Sequence, residues 1–106
     1  MMNLTEEART IAQEAWDESR EYGGDPIDYI HQSCDGHEVA IYYHKAIQFC
    51  ADQDTSAGEE WLEDCGGIAQ PGDSFGQIAC RIAFATLYCA AQEALAEIEA
   101  EAEEAA

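Results

Sequence analysis

Basic residues are nearly missing from this sequence. Against 23 Asp and Glu it has four cations, Arg9, Arg20, Lys45 and Arg81, leaving a net charge of -19 over 106 residues. A surface that grips phosphates needs a basic face, and four dispersed cations do not build one, so direct nucleic-acid binding is excluded. An anionic membrane surface repels such a chain. No apolar run is expected to reach the roughly 18–20 residues that span a bilayer. The opening MMNLTEEART has no basic stretch followed by an apolar core, so no secretory signal is expected and the location expected is the cytoplasm. Proline is scarce, with two residues. No alternating strand pattern and no internal repeat is evident.

Catalytic and redox motifs are missing too. There is no G-x-S-x-G, P-loop or H-E-x-x-H pattern, and no constellation that meets the geometric needs of an active site, so the chain is read as a non-enzyme. The five cysteines, Cys34, Cys50, Cys65, Cys80 and Cys89, include no C-x-x-C pair. An odd number without a secretory signal points to a reducing compartment and to small buried hydrophobes.

What is present is enough apolar material to fold. The chain is 47% hydrophobic, with 2 Trp, 5 Tyr and 3 Phe, which is too rich for a disordered segment. Apolar spacing and stop signals give five helical segments. The first is predicted over Thr5–Tyr22, with Thr5 as N-cap, Leu4 as hydrophobic staple and Gly23-Gly24 as the stop. Its apolar stripe is Leu4, Ala8, Ile11, Ala12, Ala15 and Trp16. The second opens at Asp25-Pro26 and stops near Asp35-Gly36. The third runs from His37 to Ala51. Its core positions are Val39, Ala40, Tyr43, Ala46, Ile47 and Cys50, and Ile41 and Tyr42 widen that stripe as if contacts lay on two sides. The fourth spans Ala57–Cys65, with Ser56-x-x-Glu59 as a capping box. The last begins near Ser74, where Ser74-x-x-Gln77 is a second capping box. It is apolar nearly all round from Phe75 to Ala91 and reads as the central helix.

Continued to Glu104, the last helix is roughly 45 Å long, against a radius of gyration of about 13 Å for a compact domain of this size. Its end must project, curve over the body, pair with another chain or fray. The segment from 96 to 106 is rich in Ala and Glu, and Glu93/Glu97 and Glu97/Glu101 are like-charge pairs one turn apart at the end where the helix dipole disfavours anions. The fold class expected is all-α: a single-domain bundle of four to five helices over residues 1–106, with a long C-terminal helix and a homodimer through that helix as one option.

Two spacings resemble metal sites, and each has a plainer explanation. His31-x-x-Cys34-x-x-His37, with His44 further on, offers zinc-type ligands, but Asp35-Gly36 breaks the helix between them. Asp52-x-Asp54-x-Ser56 with Glu63 matches four positions of a calcium loop, yet Ala57 stands where the turn glycine belongs and Gly58 comes one residue late. Helix ends and a capped acidic helix account for both, so no metal or cofactor is expected.

The carboxylates gather in three patches. Glu14, Asp17, Glu18, Glu21, Asp25 and Asp28 cover the first helix–helix junction. Asp52, Asp54, Glu59, Glu60, Glu63 and Asp64 surround the short fourth helix. Glu93, Glu97, Glu101 and Glu104 lie along the last. A rigid helical body bearing carboxylates at such intervals imitates a duplex, which carries one phosphate per roughly 1.7 Å of axis. It would be steered into a basic groove and would compete there with DNA. The plainer alternatives are a halophile's general acidity, acidity that serves solubility alone, and an antitoxin- or adaptor-type module binding a basic surface that is not a nucleic-acid site.

The stretches IYYHKAIQFC (Ile41–Cys50), DTSAGEEWLEDCGG (Asp54–Gly67) and PGDSFGQIACRIAFATLYCAAQEAL (Pro71–Leu95) resemble a group of small acidic proteins encoded by tailed bacteriophages. The resemblance implies a phage accessory protein acting in the host cytoplasm. It carries no motif of assigned role, so it points to no site residue. In charge and size the chain is also similar to phage inhibitors of restriction and CRISPR systems, several of which are acidic DNA mimics. The function expected is therefore a DNA-mimicking block on a basic nucleic-acid-binding host protein.

Overall fold

The chain is built from helices joined by short turns. A computed structural model describes residues 2–105 and places in them α1 (Leu4–Tyr22), α2 (Pro26–Asp35), α3 (Glu38–Ile41), α4 (Tyr43–Asp52), α5 (Ser56–Asp64) and α6 (Phe75–Ala105). No strand occurs among the described residues. The all-α single domain is thus observed, with six helices in place of four or five.

Local chemistry sets most of the boundaries. Asn3, not Thr5, caps α1: its Oδ1 accepts from the Glu6 N–H at 3.1 Å. Asn is at least as good a cap as Thr, so the helix begins one residue earlier and Leu4 becomes its first turn. Asp25 caps α2 through the Ile27 N–H, with Pro26 in the first turn. The α6 capping box forms in both directions: Ser74 Oγ accepts from the Gln77 N–H at 3.1 Å, and Gln77 Oε1 accepts from the Ser74 N–H at 2.7 Å. The box expected at Ser56 does not form. Asp54 takes the Ser56 N–H and hydroxyl, and Thr55 Oγ1 donates to Glu59.

The segment from His37 to Ala51 is not one helix. Tyr42 is extended (φ -96°, ψ 120°) and separates α3 from α4. Its N–H still bonds Glu38 O and its carbonyl still accepts from Ala46, so the break leaves both groups of Tyr42 satisfied. The break re-phases the residues beyond it. Ala46 and Phe49 turn inward on α4, whereas Tyr43 and Ile47, expected in the core, face solvent.

α6 is the central element, touching every other helix. Its inner face is mostly small: Ala79, Ala83, Ala91 and Ala94 are buried alongside Leu87, Tyr88, Leu95 and Ile98. Small side chains let helices approach closely, and two glycines exploit this. A Cβ on Gly58 of α5 would lie 2.5 Å from the Thr86 nitrogen and 2.8 Å from its Cα, and one on Gly76 would meet the Tyr43 ring. His31 and Trp61 cover the outer side of α6 against Phe84 and Tyr88, with ring centroids 5.2–6.4 Å apart.

α1 runs parallel to the second half of α6. Leu4 and Thr5 lie beside Ala90–Ala94, Arg9 bonds Glu97 and Glu101, and Trp16 and Arg20 lie beside Glu99 and Glu103. Ile98 is buried, and α6 remains helical to Ala105. The molecule measures 49 × 29 × 22 Å, with a radius of gyration of 14.3 Å. Contrary to the expectation for apolar runs, α6 holds an 18-residue window of mean hydropathy 1.2, enough by length and composition to cross a membrane; 44% of that window is buried within this fold, and core helices meet the same criterion.

Candidate acidic interface

Two of the three carboxylate patches expected from the sequence meet: α6 brings the last against the one around α5. Glu93 lies with Glu60 and Asp64 along a groove between α5 and α6, floored by Trp61 and Cys89. On the other flank, Glu97 and Glu101 face α1, and Glu99 and Glu103 lie beside Arg20. Glu104 is exposed near the helix end. The merging of Glu93 with the α5 acids depends on the close crossing of α5 over α6 at Gly58 and Thr86. Nothing in the local sequence announces that contact except a glycine inside a helical pattern.

Not all of these carboxylates are free to meet a partner. Arg9 Nη2 donates to Glu101 at 3.0 Å and Nη1 lies 3.5 Å from Glu97. This bridge relieves the like-charge ladder on α6. Asp25 is committed to its cap, Asp52 accepts from Gln48 at 2.8 Å and Asp17 accepts from Gln13 at 3.1 Å. The hydroxyl and N–H of Ser56 hold the Asp54 carboxyl below the usual range for Asp. Glu59 is half-buried against Thr55. Glu14, Glu18, Glu21, Asp28, Glu60, Glu63, Asp64 and Glu93 are exposed.

The four cations are occupied within the fold. Besides the Arg9 bridge, Lys45 pairs with Glu38 at 2.8 Å. Arg81 binds the Ile68 carbonyl at 2.6 Å and Asp73 at 2.7 Å, clamping the α5–α6 loop. Arg20 lies over the Trp16 ring, 5.2 Å from its centroid. Positive charge on the carboxylate surface is thus confined to Arg9 and Arg20 on the α1 flank, and no cation lines the groove of Glu60, Asp64 and Glu93.

The metal-like spacings are drawn into other work. His31 packs edge-on against Phe84 and Tyr88. Cys34 is buried, and burial, with a smaller contribution from Cys89, pushes its thiol up to about 12. His37 caps α3 through Nδ1, which accepts from the Val39 N–H, and its Nε2 lies 2.9 Å from Glu7. Asp52, Asp54 and Glu63 belong to two helix ends and an outer face. Among the described residues no three His, Cys, Asp or Glu side chains converge as a metal site. Comparison with known proteins finds no matching family model, no matching curated protein and no matching solved structure.

Proposed function

We propose that this chain is a DNA mimic. It occupies the basic nucleic-acid groove of a host defence or other DNA-binding protein and keeps DNA out, as expected of a phage protein acting in the host cytoplasm. The observation that carries the reading is the density of uncompensated charge on a rigid body. Nineteen net negative charges along a 49 Å axis amount to one per about 2.6 Å, against roughly 1.7 Å for duplex DNA. The carboxylates sit on helices held by a packed core, so little backbone order remains to be imposed when a groove closes on them. Association would be fast and sensitive to salt.

The test is competition. A basic partner captured from bacterial lysate should be released by duplex DNA, and its affinity should fall steeply as salt rises. Reversing Glu60, Glu63, Asp64 and Glu93 to Lys should weaken capture at least tenfold, about 1.4 kcal/mol. These positions are preferred to Glu97 and Glu101, whose reversal also breaks the Arg9 bridge. A partner that holds DNA and this chain together overturns the mimic reading in favour of an acidic module on a surface that is not a nucleic-acid site.

A further inference from the structure

The carboxylates leave one part of the molecule almost untouched. No Asp or Glu lies between Val39 and Ala51, and between Cys65 and Gln92 there is only Asp73, which Arg81 neutralises. These two stretches meet where α4 packs on the start of α6. Five large apolar residues face solvent there: Ile41 (50% exposed), Tyr42 (53%), Tyr43 (52%), Ile47 (39%) and Phe75 (73%).

The helix break at Tyr42 creates this face. One unbroken helix through this stretch would carry Tyr43 and Ile47 on the same apolar stripe as Val39, Ala46 and Cys50. With Tyr42 extended, Ile41, Tyr42 and Tyr43 are instead each about half-exposed. Ile47 stands one turn beyond Tyr43. Phe75 neighbours Gly76, which lies directly against the Tyr43 ring. The patch is therefore held by the fold, not by a loose loop.

Contiguous aromatic and aliphatic surface of this extent is often functional. An aromatic side chain presents about 150–250 Å², so these five residues leave on the order of 500 Å² of apolar surface, within the range of functional patches. A stable interface takes roughly 800 Å² from each partner, and His44, Ser74 and Gln77 beside the patch supply an uncharged rim. Charge selects among partners. Another chain bearing -19 is repelled by the carboxylate faces but meets no net charge here. We propose that this face docks a second copy of the same chain, forming a two-fold dimer with both carboxylate faces outward. A self-complementary patch closes such a dimer without further growth. The proposal does not depend on what the carboxylates bind.

Sedimentation velocity from about 1 to 100 µM tests it. The expected result is a species of twice the 11.6 kDa chain mass, strengthened by added salt because two like-charged bodies are brought together. That salt dependence is opposite in sign to the one expected for a basic partner, so the two readings fail separately. Tyr42→Ser and Phe75→Ser should each weaken the dimer at least about tenfold, with the helical circular dichroism unchanged. Tyr22→Ser, equally exposed but on α1, should leave it intact. A chain that stays monomeric at about 100 µM in roughly 0.5 M salt overturns the proposal. A dimer that ignores both patch variants overturns it as well. So does a monomer that binds phosphatidylcholine vesicles through Tyr42 and Phe75, which would mark the face as membrane-docking.

Discussion

Single residues decide how closely the helices approach. Gly58 looks from the sequence like the misplaced glycine of a calcium loop, but it is the point where α5 rests on the α6 backbone. Gly58→Ala drives a methyl into Thr86 N and Cα, which move only with the helix, so a loss of about 1–3 kcal/mol is expected in urea unfolding despite the better helix propensity of Ala. Gly76→Ala meets the half-exposed Tyr43 ring instead. Rotation about χ1 moves Cγ and the ring aside, although the Tyr43 Cβ stays 3.0 Å away, so the loss should be smaller than at Gly58, where backbone atoms are met. An equal or larger loss at Gly76 would refute this account of the two contacts. Thr86 carries a buried hydroxyl without a hydrogen-bond partner among the described residues. Thr86→Val removes that unsatisfied group and should leave stability unchanged or raise it by about 1 kcal/mol. The cysteines should divide by accessibility: in the native protein Cys65, which is exposed, should be alkylated first, and buried Cys34 last. Peptide mass spectrometry after brief labelling reads that order, and early labelling of Cys34 would show that its site opens without global unfolding.

At the scale of elements, the caps at Asp25 and Ser74 and the phase of α1 were readable, while the caps of α1 and α5 and the phase of α4 were not. Asp25-Pro26 and the Ser74–Gln77 box state their helices locally, because a cap is a contact between near neighbours. The split at Tyr42 has no such signal. It needs neither Pro nor Gly, and it is favoured by what α4 gains in turning Phe49 toward the core. That tertiary preference rotated Tyr43 and Ile47 out of a stripe whose periodicity looked unbroken. Near α6, Asp73 holds the loop through the Arg81 guanidinium and the Gln70 N–H, which lower its carboxyl below the usual 3.8. A depressed folded value gives stabilisation that is complete above the unfolded value and fades as pH falls through the folded one. The contribution should therefore persist at neutral pH, begin to fade near pH 3.8 and be lost once the pH has fallen below the lowered folded value. Asp73→Asn should flatten that acid limb in a series of thermal midpoints taken against pH; an unchanged limb would assign it to other carboxylates.

The whole molecule sets its charge against its core. Self-repulsion among the carboxylates opposes the compact state, so the thermal midpoint should rise as salt increases from about 10 mM to 0.5 M. The closely packed core of alanine and larger aliphatic residues should nonetheless keep the chain folded at the low end. Loss of helical signal near 10 mM salt would instead favour a halophile's acidity, for which the surface depends on dissolved ions. The sequence could not show that Glu93 would lie with Glu60 and Asp64, since it reaches them only once α5 has crossed α6. The consequence of the parallel α1–α6 pair is one of order in time. The apolar stripe of α1 finds its partner on a helix far downstream; Arg9 and Glu101 are 92 positions apart. At roughly 5–20 residues per second of synthesis, α1 waits about 5–20 s for that partner. During the wait only α2 is at hand to cover part of the stripe of Ala8, Ile11, Ala12 and Ala15, and the carboxylates on the opposite face oppose contact between nascent chains.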